Sequence, residues 1–248
     1  MSRTSEQEQV TAFLATPGVV ADGTLSIHET HIARVFVAGP RALKIKRAVK
    51  LAFLDFSTLE KRHAACLSEL AVNRDNAPEI YHRVVAITRE ADGRLAIGGS
   101  GAPVEWAVEM RAFRQGDLLS ERAAKGPLPE TLVKQTADTV YAMHGRAAPN
   151  LTTNPVAKMR SIVAEVAEVC RAQSEVLNGA AVERWTNAAL ANIAQHEPLL
   201  RGRARTGYVR RCHGDLHLAN IVVWKEQPIL FDALEFSEEM ATVDTLYD

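Results

Sequence analysis

The stretch Arg211-Cys212-His213-Gly214-Asp215-Leu216-His217-Leu218-Ala219-Asn220-Ile221-Val222-Val223-Trp224 carries the densest chemistry in this chain of 248 residues. A short β-prone run, Tyr208-Val209, precedes the polar loop, and Ile221-Val222-Val223-Trp224 forms a second one. A turn at Lys225-Glu226-Gln227-Pro228 then leads into Ile229-Leu230-Phe231-Asp232. The pattern predicts a polar loop feeding a hairpin, with Asp215 and Asn220 on the loop and Asp232 at the end of the returning strand. Asp and Asn also cap turns, so any one of the three alone carries little. Together, two carboxylates and an amide oxygen can converge where the hairpin meets its loop. Hard oxygen ligands suit Mg²⁺, which takes one or two carboxylates and completes its shell with water and substrate phosphates. A carboxylate that is not a ligand is free to accept a proton from an attacking hydroxyl.

His213-Gly214-Asp215-Leu216-His217-x-x-Asn220 resembles the catalytic loop of the aminoglycoside phosphotransferase family, small-molecule kinases with a protein-kinase-like fold. Glu29-Thr30-His31-Ile32, Ala42-Leu43-Lys44-Ile45-Lys46 and Phe53-Leu54-Asp55-Phe56-Ser57-Thr58-Leu59-Glu60-Lys61-Arg62 are similar to one uncharacterised bacterial branch of it. In that branch a P-loop ATP-binding domain often follows the kinase-like one. The resemblance runs from about residue 25 to residue 248 and implies a phosphotransferase using ATP (or GTP) and Mg²⁺ on a hydroxyl of a small molecule. It implies Asp215 as the base, Asn220 and Asp232 as metal ligands, and His213 as a support of the loop. Ala-Leu-Lys is similar to the Val-Ala-Ile-Lys of the kinase third strand, which implies that Lys44 meets the nucleotide phosphates and that Glu69 orients it. Lys46 shares a strand face with Lys44 and remains a rival. Glu235 reads as facing water, and His217 as packing the loop or touching substrate.

One departure from that pattern stands out. A kinase closes a glycine-rich loop over the phosphates between its first two strands, whereas this chain has Glu29-Thr30-His31 there. Gly98-Gly99-Ser100-Gly101 lies between two short strands and reads as a loose hairpin turn. No G-x-x-x-x-G-K-[ST] occurs, so the chain is not itself a P-loop enzyme. Two alternatives follow. A kinase-like nucleotide-binding module without turnover is favoured by the missing glycines. A two-metal phosphoesterase is suggested by Gly214-Asp215-Leu216-His217, but the earlier Asp-x-His and later Gly-Asn-His that such enzymes need are absent.

Periodicity predicts an α+β chain, and the resemblance implies two lobes: a small antiparallel-sheet lobe over residues 1–112, and a mainly helical lobe over 113–248 holding the catalytic loop (211–221) and the metal-binding strand end (229–236). The first lobe reads as a helix over 5–16 with Ser5 and Glu8 as a capping box, then strands over 25–29, 32–38 and 42–47. A helix over 57–74, opened by Ser57 and Glu60 and burying Leu59, Cys66, Leu67 and Leu70, precedes strands over 80–87, 95–97 and 104–110. Residues 111–116 read as a hinge. Helices follow over 129–145, over 155–177 with Met159, Ile162, Val163, Val166 and Val169 inward, and over 180–196 before Pro198. His144 reads as a packed or capping residue, and Arg201-Gly202-Arg203-Ala204-Arg205 as a solvated loop. From Ser237 a new helix with Met240, Val243, Leu246 and Tyr247 on one face is still running at Asp248. That pattern leads us to expect a truncated lobe, and the resemblance implies an additional C-terminal domain in the native protein.

A net charge of −1 and a pI near 6.7 give no footprint for nucleic acid or an anionic membrane. Cys66, Cys170 and Cys212 are too widely spaced for a zinc knuckle or a disulfide framework. The polar start, Met1-Ser2-Arg3-Thr4-Ser5-Glu6, does not read as a signal peptide, so a cytoplasmic protein is expected. Glu238, Glu239, Asp244 and Asp248 suit a cationic acceptor or a solvated helix face.

Overall fold

The computed structural model describes residues 5–51 and 53–248; residues 1–4, where the polar start begins, and residue 52 lie outside the described residues. The chain forms two compact units, one running up to Val140 and joined by Asp215–Ser237, the other made of Tyr141–Gly214 and Glu238–Asp248. The compact units therefore do not follow a 112/113 boundary. Residues 111–116 lie wholly inside the first unit, and the hairpin after the polar loop belongs to that unit too.

The first unit is α+β. Six antiparallel strands, β1 (Leu25–Glu29), β2 (Ala33–Ala38), β3 (Arg41–Lys46), β4 (Tyr81–Arg89), β5 (Leu95–Ile97) and β6 (Ala102–Arg111), form one sheet in the order β1-β2-β3-β6-β4-β5. Alternation along β3 sorts its side chains onto two faces. Leu43 and Ile45 join Phe36, Val85 and Ile87 beneath α1 (Glu6–Leu14), which contributes Val10 and Leu14. Ala42 joins Cys66, Val108, Met110, Val222 and Ile229 on the other face. Lys44 and Lys46 share that second face, so the chain commits two ammonium groups to its interior. The Ser5–Glu8 capping box opens α1 as expected. Gly39 (φ +51°) makes the β2–β3 turn, where a Cβ would stand 2.6 Å from the Asp22 carbonyl oxygen.

Several local expectations are corrected. α2 (Leu59–Arg74) is capped by Thr58, whose hydroxyl accepts the Lys61 N–H, because Ser57 is committed to Asp55. Its buried residues are Arg62, Ala65, Cys66, Glu69 and Asn73, whereas Leu67 is 47% exposed. The face is polar because it meets the charged side chains of β3 and β6. Gly98–Gly101 is no hairpin turn: β5 and β6 both pair with β4, and the segment crosses between its two sides. A Cβ on Gly101 would lie 2.0 Å from the Arg89 carbonyl oxygen. A short helix, α3 (Leu119–Lys125), was not anticipated, and the chain passes to the second unit within α4 (Glu130–Arg146).

In the second unit α5 (Pro155–Ala172) and α6 (Gly179–Arg205) bury Val156, Val163 and Ile193 between them, while Val166 and Val169 stay exposed. α6 continues through Pro198, which lacks the N–H for one helical hydrogen bond. The basic run 201–205 is therefore helical: Arg203 pairs with Asp244 at 2.8 Å and stacks on Tyr208, and Arg201 pairs with Glu197. The expected terminal helix is one turn, α7 (Glu238–Ala241), followed by β10 (Thr242–Asp244), which pairs with β7 (Val209–Arg211). Backbone pairing to β7 overrides the helical spacing of the apolar residues. Among the described residues no helix is long and apolar enough to cross a membrane.

A buried ion pair and a glutamine bridge anchor α1 and α2 to β6. Arg62 Nε donates to both oxygens of Glu105 (2.9 and 2.8 Å), and Gln7 Nε2 donates to Glu105 (2.7 Å) and to the Lys46 carbonyl (2.8 Å). Glu105→Ala should cost about 3–5 kcal/mol in urea unfolding, because it strands a buried guanidinium. Replacing Arg62 and Glu105 together by Leu should cost much less. Equal losses in the two variants would show that the pairing is not what matters.

Candidate functional site

β8 (Ile221–Trp224) and β9 (Gln227–Leu230) form the hairpin expected from the sequence. Its turn is confined to Lys225 and Glu226, both with positive φ (48° and 64°), the backbone twist that two-residue hairpin turns require. On the loop side, Asn220 Nδ2 donates to the Asp215 carbonyl (2.9 Å) and to Asp215 Oδ2 (3.2 Å). The Asn220 carbonyl accepts the Phe231 N–H (3.0 Å), so the loop residue lies against the strand end that carries Asp232. Asp215 is well exposed (59%), with His217 Nε2 at 3.7 Å from its carboxylate. His217 Nδ1 accepts the Ala219 N–H, so this half-exposed ring caps the turn that follows it.

Asp232 has φ +61°, a left-handed conformation that is uncommon for a residue with a Cβ and is held here by its surroundings. Its N–H donates to the Tyr81 hydroxyl oxygen (3.2 Å), and the next N–H, of Ala233, donates to Asn73 Oδ1 (2.8 Å). The Asp232 carboxylate meets Lys44 Nζ at 2.6 Å across 188 residues of sequence. The same ammonium is 2.8 Å from Glu69 Oε1, so Lys44, Glu69 and Asp232 form one cluster. Lys46 Nζ takes the other oxygen of Glu69 at 2.6 Å and is also paired with Glu235. Glu235 is enclosed and does not face water as expected. Lys46 is fully buried, whereas Lys44 keeps 10% of its side chain exposed beside a 40% exposed Asp232.

The electrostatics follow from burial. Burial alone would raise the Glu69 carboxyl, but Lys44 and Lys46 outweigh it and hold it at about 2. Burial likewise opposes the charge on Lys44, and Asp232 and Glu69 overcome it, keeping the ammonium well above its ordinary value. The Cys66 thiol, pushed up to about 12 by burial, is inert beside them.

His213 and Gly214 belong to the second unit, where sequence reasoning missed an organising contact. Asp248 accepts the backbone N–H groups of His213 (3.0 Å) and Gly214 (2.7 Å), and its Oδ2 lies 3.0 Å from His144 Nε2. Asp248 is thus a support of the loop backbone and not part of a solvated acidic face. Asp244 and Glu238 are likewise engaged, by Arg203 and Arg211. His144, Cys212 and Asp248 bring nitrogen, sulfur and oxygen within 4.8 Å of one another. The carboxylate already serves two amides, and the thiol, pushed up to about 12 by burial and by Asp248, stays protonated.

A cavity of about 880 Å³ in the first unit is lined by Val37, Phe113, Asp117, Arg122, Trp224 and Lys225 among others. Lys44 and Asp232 do not line it. The indole N–H of Trp224 is buried there without an acceptor among the described residues.

No family model matches the chain. It is 28% identical over 228 residues to uncharacterised proteins of Mycobacterium bovis and of two strains of Mycobacterium tuberculosis. The match covers 90% of this chain and 44% of each relative, so the chain spans less than half the length of the curated relatives it matches.

Because Glu69 is held at about 2 against an ordinary 4.5, its ionised form stabilises the fold fully above about pH 4.5. That contribution, on the order of 3 kcal/mol, is lost as pH falls from there towards 2. The melting temperature should therefore drop steeply across this window, and Glu69→Gln should flatten the drop. An unchanged acid limb in Glu69→Gln would show that the carboxylate is not the titrating group.

Proposed function

We propose that the protein is a kinase-like phosphotransferase that moves the γ-phosphoryl group of ATP (or GTP) to a hydroxyl of a small molecule, in the manner of the aminoglycoside phosphotransferases. The observation that carries this reading is the convergence of Lys44, Glu69 and Asp232 within 2.8 Å, drawn from three distant segments. The glycine-free β1–β2 turn, closed by Thr30 with Ala33, favours a second reading as a nucleotide-binding module without turnover.

In the first reading Lys44 holds the nucleotide phosphates, and Glu69 keeps its ammonium charged and in place. Asp215 accepts the proton of the acceptor hydroxyl as the new O–P bond forms and the bond to the leaving diphosphate breaks. The exposure of Asp215 suits an acceptor arriving from solvent, and Asn220 fixes its rotamer. The oxygen donors of Asn220 and Asp232 fit Mg²⁺, which when bound neutralises charge on the phosphates. The cavity beside Phe113 and Trp224 offers room for the nucleobase. Val37 lies two residues, about 7 Å, along β2 from Val35, the residue opposite Lys44.

Asp215→Asn should lower turnover roughly 10²–10⁴-fold while leaving Mg·ATP affinity nearly unchanged. Asp232→Asn should instead weaken Mg²⁺-dependent nucleotide binding. Calorimetry with Mg·ATP, alongside phosphate transfer to a panel of hydroxylated small molecules, separates the two effects. Nucleotide binding without transfer by the wild-type protein would favour the binding-module reading. Equal losses of binding in both variants, with turnover per bound nucleotide intact, would overturn the role of Asp215.

A further inference from the structure

Lys46 and Glu235 form a buried ion pair for which the phosphotransfer reading has no use. Lys46 has no exposed side-chain surface, so it cannot touch a nucleotide. Its ammonium is 5.5 Å from the Phe56 ring centroid, 2.6 Å from Glu69 Oε2 and paired with Glu235, whose side chain is 5% exposed. Enclosing an ammonium and two carboxylates carries a desolvation penalty of several kcal/mol per ion, which only close pairing offsets.

The arrangement has a geometric consequence. Glu69 is a planar carboxylate gripped at Oε2 by Lys46 and at Oε1 by Lys44, so it cannot turn about its last torsion without breaking one contact. Glu235 ties the segment after Asp232 to β3, and the same segment is fastened to α2 through Ser68 (2.8 Å to the Glu235 carbonyl) and Asn73. The cluster of Lys44, Lys46, Glu69, Asp232 and Glu235 has two cations against three anions. Without Lys46, one cation faces three carboxylates, and Lys44 is drawn inward, away from where phosphates would lie.

Building on the phosphotransfer reading, we propose that Lys46 and Glu235 are positioning residues: they lock Glu69 and the strand end after Asp232 so that Lys44 is presented to the nucleotide phosphates. The test compares wild type, Lys44→Met, Lys46→Met, Glu235→Leu, the double variant Lys46→Met/Glu235→Leu, and the double variant combined with Lys44→Met. In urea unfolding, each single change should destabilise the protein, and the double variant should recover much of the loss. If the double variant is no more stable than the worse single one, the pair is not coupled and the proposal fails.

Calorimetry with Mg·ATP on the folded double variant, which carries the test even where a single variant fails to fold, should show affinity reduced roughly 10-fold. In the Lys44→Met background the same two changes should cause no further loss, because they act through Lys44. A folded double variant that binds Mg·ATP like wild type overturns this proposal alone, since a purely structural pair leaves binding intact once stability returns. A further loss in the Lys44→Met background overturns it as well. No Mg·ATP binding by the wild-type protein overturns the nucleotide reading and this proposal with it, an outcome that the wild-type control makes distinct.

Discussion

One buried carboxylate, shared between two lysines, organises the first unit. Glu69 has no exposed surface, and its two oxygens take Lys44 and Lys46 at 2.8 and 2.6 Å. An unpaired charge of this kind in the interior would be strongly destabilising, so the helix bearing Glu69 and the strand bearing both lysines can only be buried together. The same constraint reaches the hairpin end, because Asp232 and Glu235 complete the shells of the two ammonium groups. Three segments far apart in the chain are thus held by pairing of opposite charges, alongside the apolar cluster of Ala42, Cys66, Val222 and Ile229.

This constraint explains why α2 departs from ordinary amphipathic patterning. Arg62, Glu69 and Asn73 occupy buried positions that apolar residues usually fill, and each has a named partner: Glu105, the two lysines, and the backbone of Ala233. Leu67, which helical periodicity marks for the core, is on the outside. Buried polar groups of this density are tolerated only where opposite charges or hydrogen-bond partners reach them. The left-handed backbone of Asp232 belongs to the same logic. Its carboxylate is aimed by hydrogen bonds from the flanking backbone to Tyr81 and Asn73.

The second unit has a charged anchor of its own. Asp248 accepts two successive backbone N–H groups at His213 and Gly214, and Gly214, at φ +83°, adopts a conformation that a residue with a Cβ would resist. Burial would raise the Asp248 carboxyl, but His144 and the two amides outweigh it and keep it ionised as an acceptor. Within the second unit the His213–Gly214 backbone is thus held by a carboxylate, and within the first the Asn220 amide holds Asp215.

Local signals in the sequence were sufficient for much of this. The Ser5–Glu8 box, the strands β1 to β3 and the hairpin after Asn220 are encoded within a few residues each, where hydrogen-bond geometry and strand propensity act directly. Long-range competition was not legible. Helical spacing at Met240, Val243 and Leu246 yielded to pairing with β7, and the apparent stop at Pro198 yielded to a helix long enough to lose one bond. The pairing of Lys46 with Glu235 and the clamp by Asp248 were likewise invisible, because partners 189 and 34 or 35 residues apart leave no periodic trace. Which charged side chains are buried is decided only once a partner of opposite sign or a backbone amide reaches them, and that requires the tertiary structure.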